Sequence, residues 1–134
     1  MGEDLAQIRR VREWIEALEA RTMEFAVRGV KLAERLETTR LPRSVIWQFV
    51  DAVTSTGANH RACRRARSDR ELFAKLSIVD EESDETEFWL DLIQQIVPLS
   101  PIRDETLLLR DEAAELRAIF AKARATVQEK IENE

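Results

Sequence analysis

The sequence predicts an all-α protein, an up-down-up-down, left-handed four-helix bundle forming one domain over residues 1–134. Three observations carry this reading. Four stretches place apolar or small side chains at alternating spacings of three and four, the heptad seam of helices packed at a shallow left-handed angle. Only three Gly and three Pro occur in 134 residues, too few turn markers for a β-sandwich or barrel. Hydrophobic residues make up 44% and charged residues 35%. That is enough apolar mass for a packed core and too much for a disordered chain.

The first helix follows Ile8, Val11, Ile15, Leu18, Thr22, Phe25, Gly29, Leu32 and Leu36 without a change of phase. Thr38, Thr39 and Pro42 end it, and Leu41 falls outside because a residue before Pro is pushed from helical dihedrals. The second helix starts near Ser44 as N-cap and follows Ile46, Phe49, Val53, Thr56, His60 and Cys63. Its middle, Thr54-Ser55-Thr56-Gly57, has poor helix propensity. The seam keeps its phase across that stretch, which predicts one continuous helix whose small residues admit close neighbours.

Ser68 and Glu71 have the spacing of a capping box. The third helix then follows Leu72, Leu76, Val79, Ser83, Thr86, Leu90, Ile93 and Val97, and Pro98 stops it. Ser100-Pro101 restarts the chain, with Pro at the first helical position. Asp104 and Glu105 complement the positive end of the fourth helix. Its seam is Leu109, Ala113, Leu116, Phe120, Ala123 and Val127.

Composition excludes several function classes. One Cys permits no internal disulfide framework or thiolate cluster, and one His permits no multi-histidine site. His60 and Cys63 lie three apart on one face, but two ligands fall short of the three or four a zinc site needs. They read as seam residues at a helix interface. No third group orients them as a catalytic pair. The acidic stretch Asp80, Glu81, Glu82, Asp84, Glu85, Glu87 and Asp91 lacks the Glu-x-x-His motif of di-iron bundles. The sequence therefore predicts no enzyme, no cofactor and no small-molecule substrate. The polar N-terminus and the absence of a long apolar run predict a cytoplasmic protein with no membrane association.

Two charged clusters remain. Arg61, Arg64, Arg65, Arg67 and Arg70 gather at the end of the second helix and the following turn, with Asp69 as the only acid among them. They are a candidate contact for nucleic acid or for a neighbouring subunit. The net charge of −5 disfavours wrapping nucleic acid with the whole surface and leaves room for a local patch. No aromatic residue interleaves for base stacking. Glu82, Asp84, Glu85 and Glu87 form the candidate acidic partner patch, solvated or paired with Arg of a neighbouring helix or copy. Trp14, Trp47 and Trp89 lie beside seam positions, suited either to core filling or to an interface.

The run Thr56-Gly57-Ala58-Asn59-His60-Arg61-Ala62-Cys63-Arg64-Arg65-Ala66-Arg67-Ser68 and the segments Lys75–Val79 and Glu82–Leu90 resemble a known family. So does Arg21-Thr22-Met23-Glu24-Phe25-Ala26. The family is that of four-helix bundle proteins first noticed in intervening sequences of 23S ribosomal RNA genes, and the resemblance covers roughly residues 15–125. It implies a four-helix bundle and a ring-shaped homopentamer, in a family with no established enzymatic activity. A related bundle is the accessory protein of diversity-generating retroelements, which implies RNA, DNA or a reverse transcriptase as further possible partners. Two positions depart from the family pattern: His60, where an aromatic is common, and Ala62, where Glu is common.

Overall fold

The structure is a computed structural model that describes residues 2–97 and 101–134. It contains α1 (Gly2–Ala17), α2 (Glu19–Leu36), α3 (Arg43–Ala62), α4 (Asp69–Ile96) and α5 (Ile102–Glu132). A 3₁₀ turn, Cys63–Arg65, leads from α3 toward α4. No strand occurs among the described residues. The segments α1 and α2 together make the first of four long helices. At 1.5 Å per residue, α5 is about 46 Å long.

The seams are the core. In α3, α4 and α5 every seam residue is buried, from Ile46 to Cys63, Leu72 to Val97 and Leu109 to Val127. In α1 and α2 all are buried except Leu18, which is half-buried. Consecutive helices pack side by side, and α2 also meets α5. The first helix departs from the uninterrupted rod that its seam predicts. Leu18 adopts φ −88° and ψ −4°, off the regular helical values, and separates α1 from α2. Leu18 N–H still bonds Trp14 O at 3.0 Å, and Thr22 N–H bonds Leu18 O at 2.9 Å, so the chain bends without unravelling.

Local signals succeed unevenly. Ser68 caps α4, its hydroxyl accepting from Glu71 N–H at 3.1 Å. The reciprocal half of the box is displaced: the Glu71 carboxylate accepts from Arg67 N–H at 3.4 Å. Ser44 is not the cap of α3. The helix begins at Arg43, and Pro42 O receives Val45 N–H at 3.0 Å and Ile46 N–H at 3.3 Å. Pro42 has extended ψ of 138° and a preset φ of −57°, which aim the chain into the helix without a side-chain cap. Pro101 stands one position before the helix rather than at its first residue, accepting Glu105 N–H at 3.2 Å. The predicted stop at Pro98 and restart at Ser100 lie outside the described residues.

The weak stretch of α3 is helical, and its polar side chains are satisfied by bonding back onto their own helix. Thr54 donates to Val50 O at 2.7 Å, Thr56 to Ala52 O at 2.8 Å and Asn59 to Ser55 O at 2.8 Å. Across the core, the hydroxyls of Thr56 and Thr86 meet at 3.4 Å, and Thr86 also donates to Glu82 O at 2.8 Å. Burying an unbonded hydroxyl costs about 1–3 kcal/mol, so these local bonds make the polar mid-section tolerable.

Small residues bring α2 and α3 close together. A methyl built on Gly29 would lie 2.7 Å from both γ-carbons of Val53, and one on Gly57 would lie 3.5 Å from the Thr22 carbonyl oxygen. Gly29→Ala should therefore destabilise the fold by about 1 kcal/mol net. Overpacking of about 1–3 kcal/mol outweighs about 1 kcal/mol of improved helix propensity. In a Val53→Ala background the same change should instead stabilise. Urea titrations of the four proteins test this, and the same sign in both backgrounds would refute the steric account.

Candidate functional site

The basic cluster sits where the end of α3 and the 3₁₀ turn meet α1 and the chain turns into α4. Arg61, Arg64, Arg65, Arg67 and Arg70 are all exposed. Arg64 pairs with Glu19 of α2 at 2.8 Å. Asp69, the lone acid within the run, is turned away to Lys130 of α5. Among the described residues, Arg61, Arg65, Arg67 and Arg70 make no salt bridge. A further basic residue joins from α1: Arg12 Nη1 donates to Ala66 O at 3.3 Å. Sequence reasoning missed Arg12 because it is more than fifty residues away and its own helix seam gives no hint of what it meets. Apart from Arg64, this end of the molecule thus gathers arginines that make no salt bridge among the described residues.

The acidic stretch does not form one surface. Helical periodicity divides it. Asp84, Glu87 and Asp91 face α5, where Arg110 reaches Asp91 at 2.7 Å and Glu87 at 3.6 Å. Arg117 reaches Glu87 at 2.7 Å and Asp84 at 3.7 Å. Further along, Arg124 Nε donates to Ser77 Oγ at 2.7 Å, and Lys130 meets Asp69. Partner numbers fall on α4 as they rise on α5, so these two helices run antiparallel. Arg21 and Arg28 of α2 make the equivalent reach to α5. Arg21 meets Glu112 at 2.5 Å and Glu115 at 2.6 Å, and Arg28 meets Glu105 at 3.3 Å. The Arg21 bond holds the Glu112 carboxyl below its ordinary pKa.

Glu82 and Glu85 behave differently. Neither has a salt bridge among the described residues. Glu85 is exposed and accepts only from Trp89 Nε1 at 3.3 Å. Glu82 is half-buried, and burial, then repulsion from Glu85 and Glu81, raises its pKa. Of the four acids in the candidate patch, Glu87 is committed inside the molecule. Asp84 is shared between solvent and Arg117.

The tryptophans divide as well. Trp89 is half-buried against the core, whereas Trp14 is 43% and Trp47 64% exposed. Trp14 carries the Lys122 ammonium 5.5 Å above its ring. Exposed Met23, Val27 and Val30 lie along α2, with Phe88 exposed on α4.

His60 and Cys63 are both buried. His60 Nε2 lies 2.7 Å from the Ile15 carbonyl oxygen, and Nδ1 lies 2.7 Å from Thr22 Oγ1. A carbonyl can only accept, so Nε2 carries the hydrogen and the neutral ring accepts from the Thr22 hydroxyl at Nδ1. The ring packs on Phe120 at 5.1 Å. Burial lowers the His60 pKa, against the opposing pull of the Ile15 bond and the Glu19 charge. The Ile15 carbonyl is the one a regular helix would offer to Glu19 N–H, and the break at Leu18 lies between them. Burial pushes the Cys63 thiol up to about 11, and its Sγ contacts Asn59 O at 3.5 Å. Among the described residues no group of three or more His, Cys, Asp and Glu is arranged to hold a metal. Nor is any helix among them long and apolar enough to cross a membrane.

The His60 environment makes stability depend on pH. Its folded-state pKa lies below 6.5, so the unfolded chain takes the proton first as pH falls. The stabilisation is complete above about pH 6.5 and is lost below it, by at most about 1.4 kcal/mol per pH unit. His60→Gln keeps a donor and an acceptor without titrating. Denaturation midpoints should fall from about pH 6.5 to 5 in the wild type and stay nearly level in the variant, following the unfolded pKa of His. Parallel profiles would exclude His60 as the source.

No family model matches the chain, and no curated protein matches it. Among solved structures, it is similar to a protein of unknown function of the S23 ribosomal protein family from Bacteroides thetaiotaomicron. The two share 28% identity and superpose with a TM-score of 0.71, over 78% of this chain and 95% of the other. The helical fold of this chain is thus similar to that of a ribosomal-protein-family member without an assigned function.

Proposed function

We propose that the chain is a non-enzymatic assembly module: a single up-down-up-down, left-handed bundle that associates with copies of itself in the cytoplasm and scaffolds a partner. The observation that carries this reading is the apolar surface left open on one copy. Trp47, Phe88 and Met23 are each more than half exposed, and Trp14 nearly so. Aromatic residues and Met are enriched in subunit interfaces. The resemblance to the intervening-sequence family favours a homopentamer, and the similarity to the S23-family protein is consistent with that family relationship. Light scattering at low and high salt tests it. The expected mass is that of a homopentamer of 15.5 kDa chains. A monomer at both salts would sink the reading.

A second reading is favoured by the unpaired arginines. Arg61, Arg65, Arg67 and Arg70, with Arg12 beside them, suit phosphate contacts to RNA or DNA, alone or alongside a reverse transcriptase. The expected result is a mobility shift with labelled RNA or DNA that weakens steeply with salt. Arg65→Glu with Arg67→Glu should abolish it while leaving the thermal midpoint unchanged. No shift at low salt would remove this reading.

A further inference from the structure

The outward face of α4 carries a ridge that nothing in one copy covers. Glu81, Glu85, Phe88, Leu92 and Ile96 follow one another at spacings of four, three, four and four. Glu81, Glu85, Phe88 and Ile96 are exposed, and Phe88 stands against Trp89 with ring centroids 5.0 Å apart. The ridge lies opposite the buried seam and apart from the Asp84, Glu87 and Asp91 edge that α5 engages. Its first turns are acidic and its remainder is apolar.

The opposite pattern lies on the α2–α3 side of the molecule. A groove of about 470 Å³ runs between these helices, with Gly57 and Ala58 in its wall and Arg61 at one end. Exposed Met23, with Ala26, borders it from α2, Thr54 continues it along α3, and Glu19, paired with Arg64, also lines it. Read backwards from the turn, Arg65, Arg61, Ala58, Thr54 and Val50 also follow spacings of four, three, four and four. Arg65 and Arg61 are exposed and have no salt bridge among the described residues. The missing side chain of Gly57 and the short one of Ala58 leave a hollow where the ridge has its largest residue.

We infer that the α4 ridge of one copy seats in the α2–α3 groove of a second copy, running antiparallel to α3. In this register Glu81 meets Arg65 and Glu85 meets Arg61. Phe88 enters the hollow at Gly57 and Ala58, and Leu92 lies over Thr54. The occupant is a second copy because the ridge's Glu85 and Phe88, an acid without a salt bridge followed by an exposed aromatic, match in order the groove's Arg61, likewise without a salt bridge, and its hollow at Gly57 and Ala58. Ridge and groove are different surfaces, so the contact is head to tail: every copy uses both, and repetition closes a ring if the rotation permits. The buried aromatic anchor carries most of the affinity, and the charge pairs set register and direction. This inference rests on the self-assembly proposed above and names the surfaces that perform it.

Light scattering on surface variants tests it. Phe88→Glu and Arg61→Glu should each reduce the mass to that of one chain, 15.5 kDa, with the helical circular dichroism signal unchanged. Arg61→Glu combined with Glu85→Arg should recover the assembly. Leu108→Glu, an exposed position on α5 away from both surfaces, should leave it intact. Direction is read by disulfide trapping: Thr54→Cys mixed with Leu92→Cys should cross-link, and neither should do so alone. A wild type that is monomeric throughout overturns self-assembly itself. A wild-type oligomer that survives Phe88→Glu and yields no cross-link in the mixture overturns this pair of surfaces and leaves self-assembly standing.

Discussion

The hydrogen bonds of His60 are the constraint around which one half of the bundle is arranged. A fully buried imidazole must satisfy both nitrogens without water. It does so by drawing the Ile15 carbonyl at one side and the Thr22 hydroxyl at the other. The two partners bracket Leu18, so α3 holds both sides of the break in the first helix. That bracket sets where α1 lies, and α1 in turn brings Arg12 to Ala66. The position of the basic end therefore depends on a polar contact deep in the core. A phenylalanine at position 60 has no donor and could not hold that carbonyl.

A second organising element is the division of charge. The acids of α4 look like a single patch when read along the chain. Wound at 3.6 residues per turn, they separate into an α5-facing edge and an outward ridge. The edge is matched by Arg110 and Arg117, each bonded to Glu87. Such partly exposed pairs contribute little stability apiece, but their order along both helices favours one antiparallel register over slipped ones. Glu81 and Glu85 of the ridge and Arg61, Arg65, Arg67 and Arg70 of the bundle end make no salt bridge among the described residues, whereas Arg64 is paired with Glu19. Charge neutralised within one copy thus performs a structural task, and the charge left over marks the surfaces available for association.

Much of this was legible in the sequence. The seams of α3, α4 and α5 match the buried residues because burial of one apolar stripe is what stabilises a packed helix. The Ser68 cap was legible because it depends on residues three apart. Ser44 misled for the reason that a favourable cap residue competes with its neighbours: Pro42 had already set the entry angle, and its carbonyl took the first helical bonds. The break at Leu18 had no local signal. The seam passes through it in phase, and its cause sits on another helix. The same holds for Asp69, which sequence groups with the arginines and the fold hands to Lys130.

By itself, the sequence determined the all-helical class, the four seams, the mid-bundle belt of small and polar residues, and the clustering of arginines around the α3–α4 turn. These follow from periodicity and composition, which act between residues a few positions apart. Only the tertiary structure decided which acids are spent inside the molecule, where the first helix bends, and which tryptophans face outward. It also brought Arg12 to the basic end. Those outcomes depend on contacts between helices distant in the chain. Their energies are set by burial, by hydrogen-bond geometry and by which partner lies within reach, none of which a linear order of residues specifies.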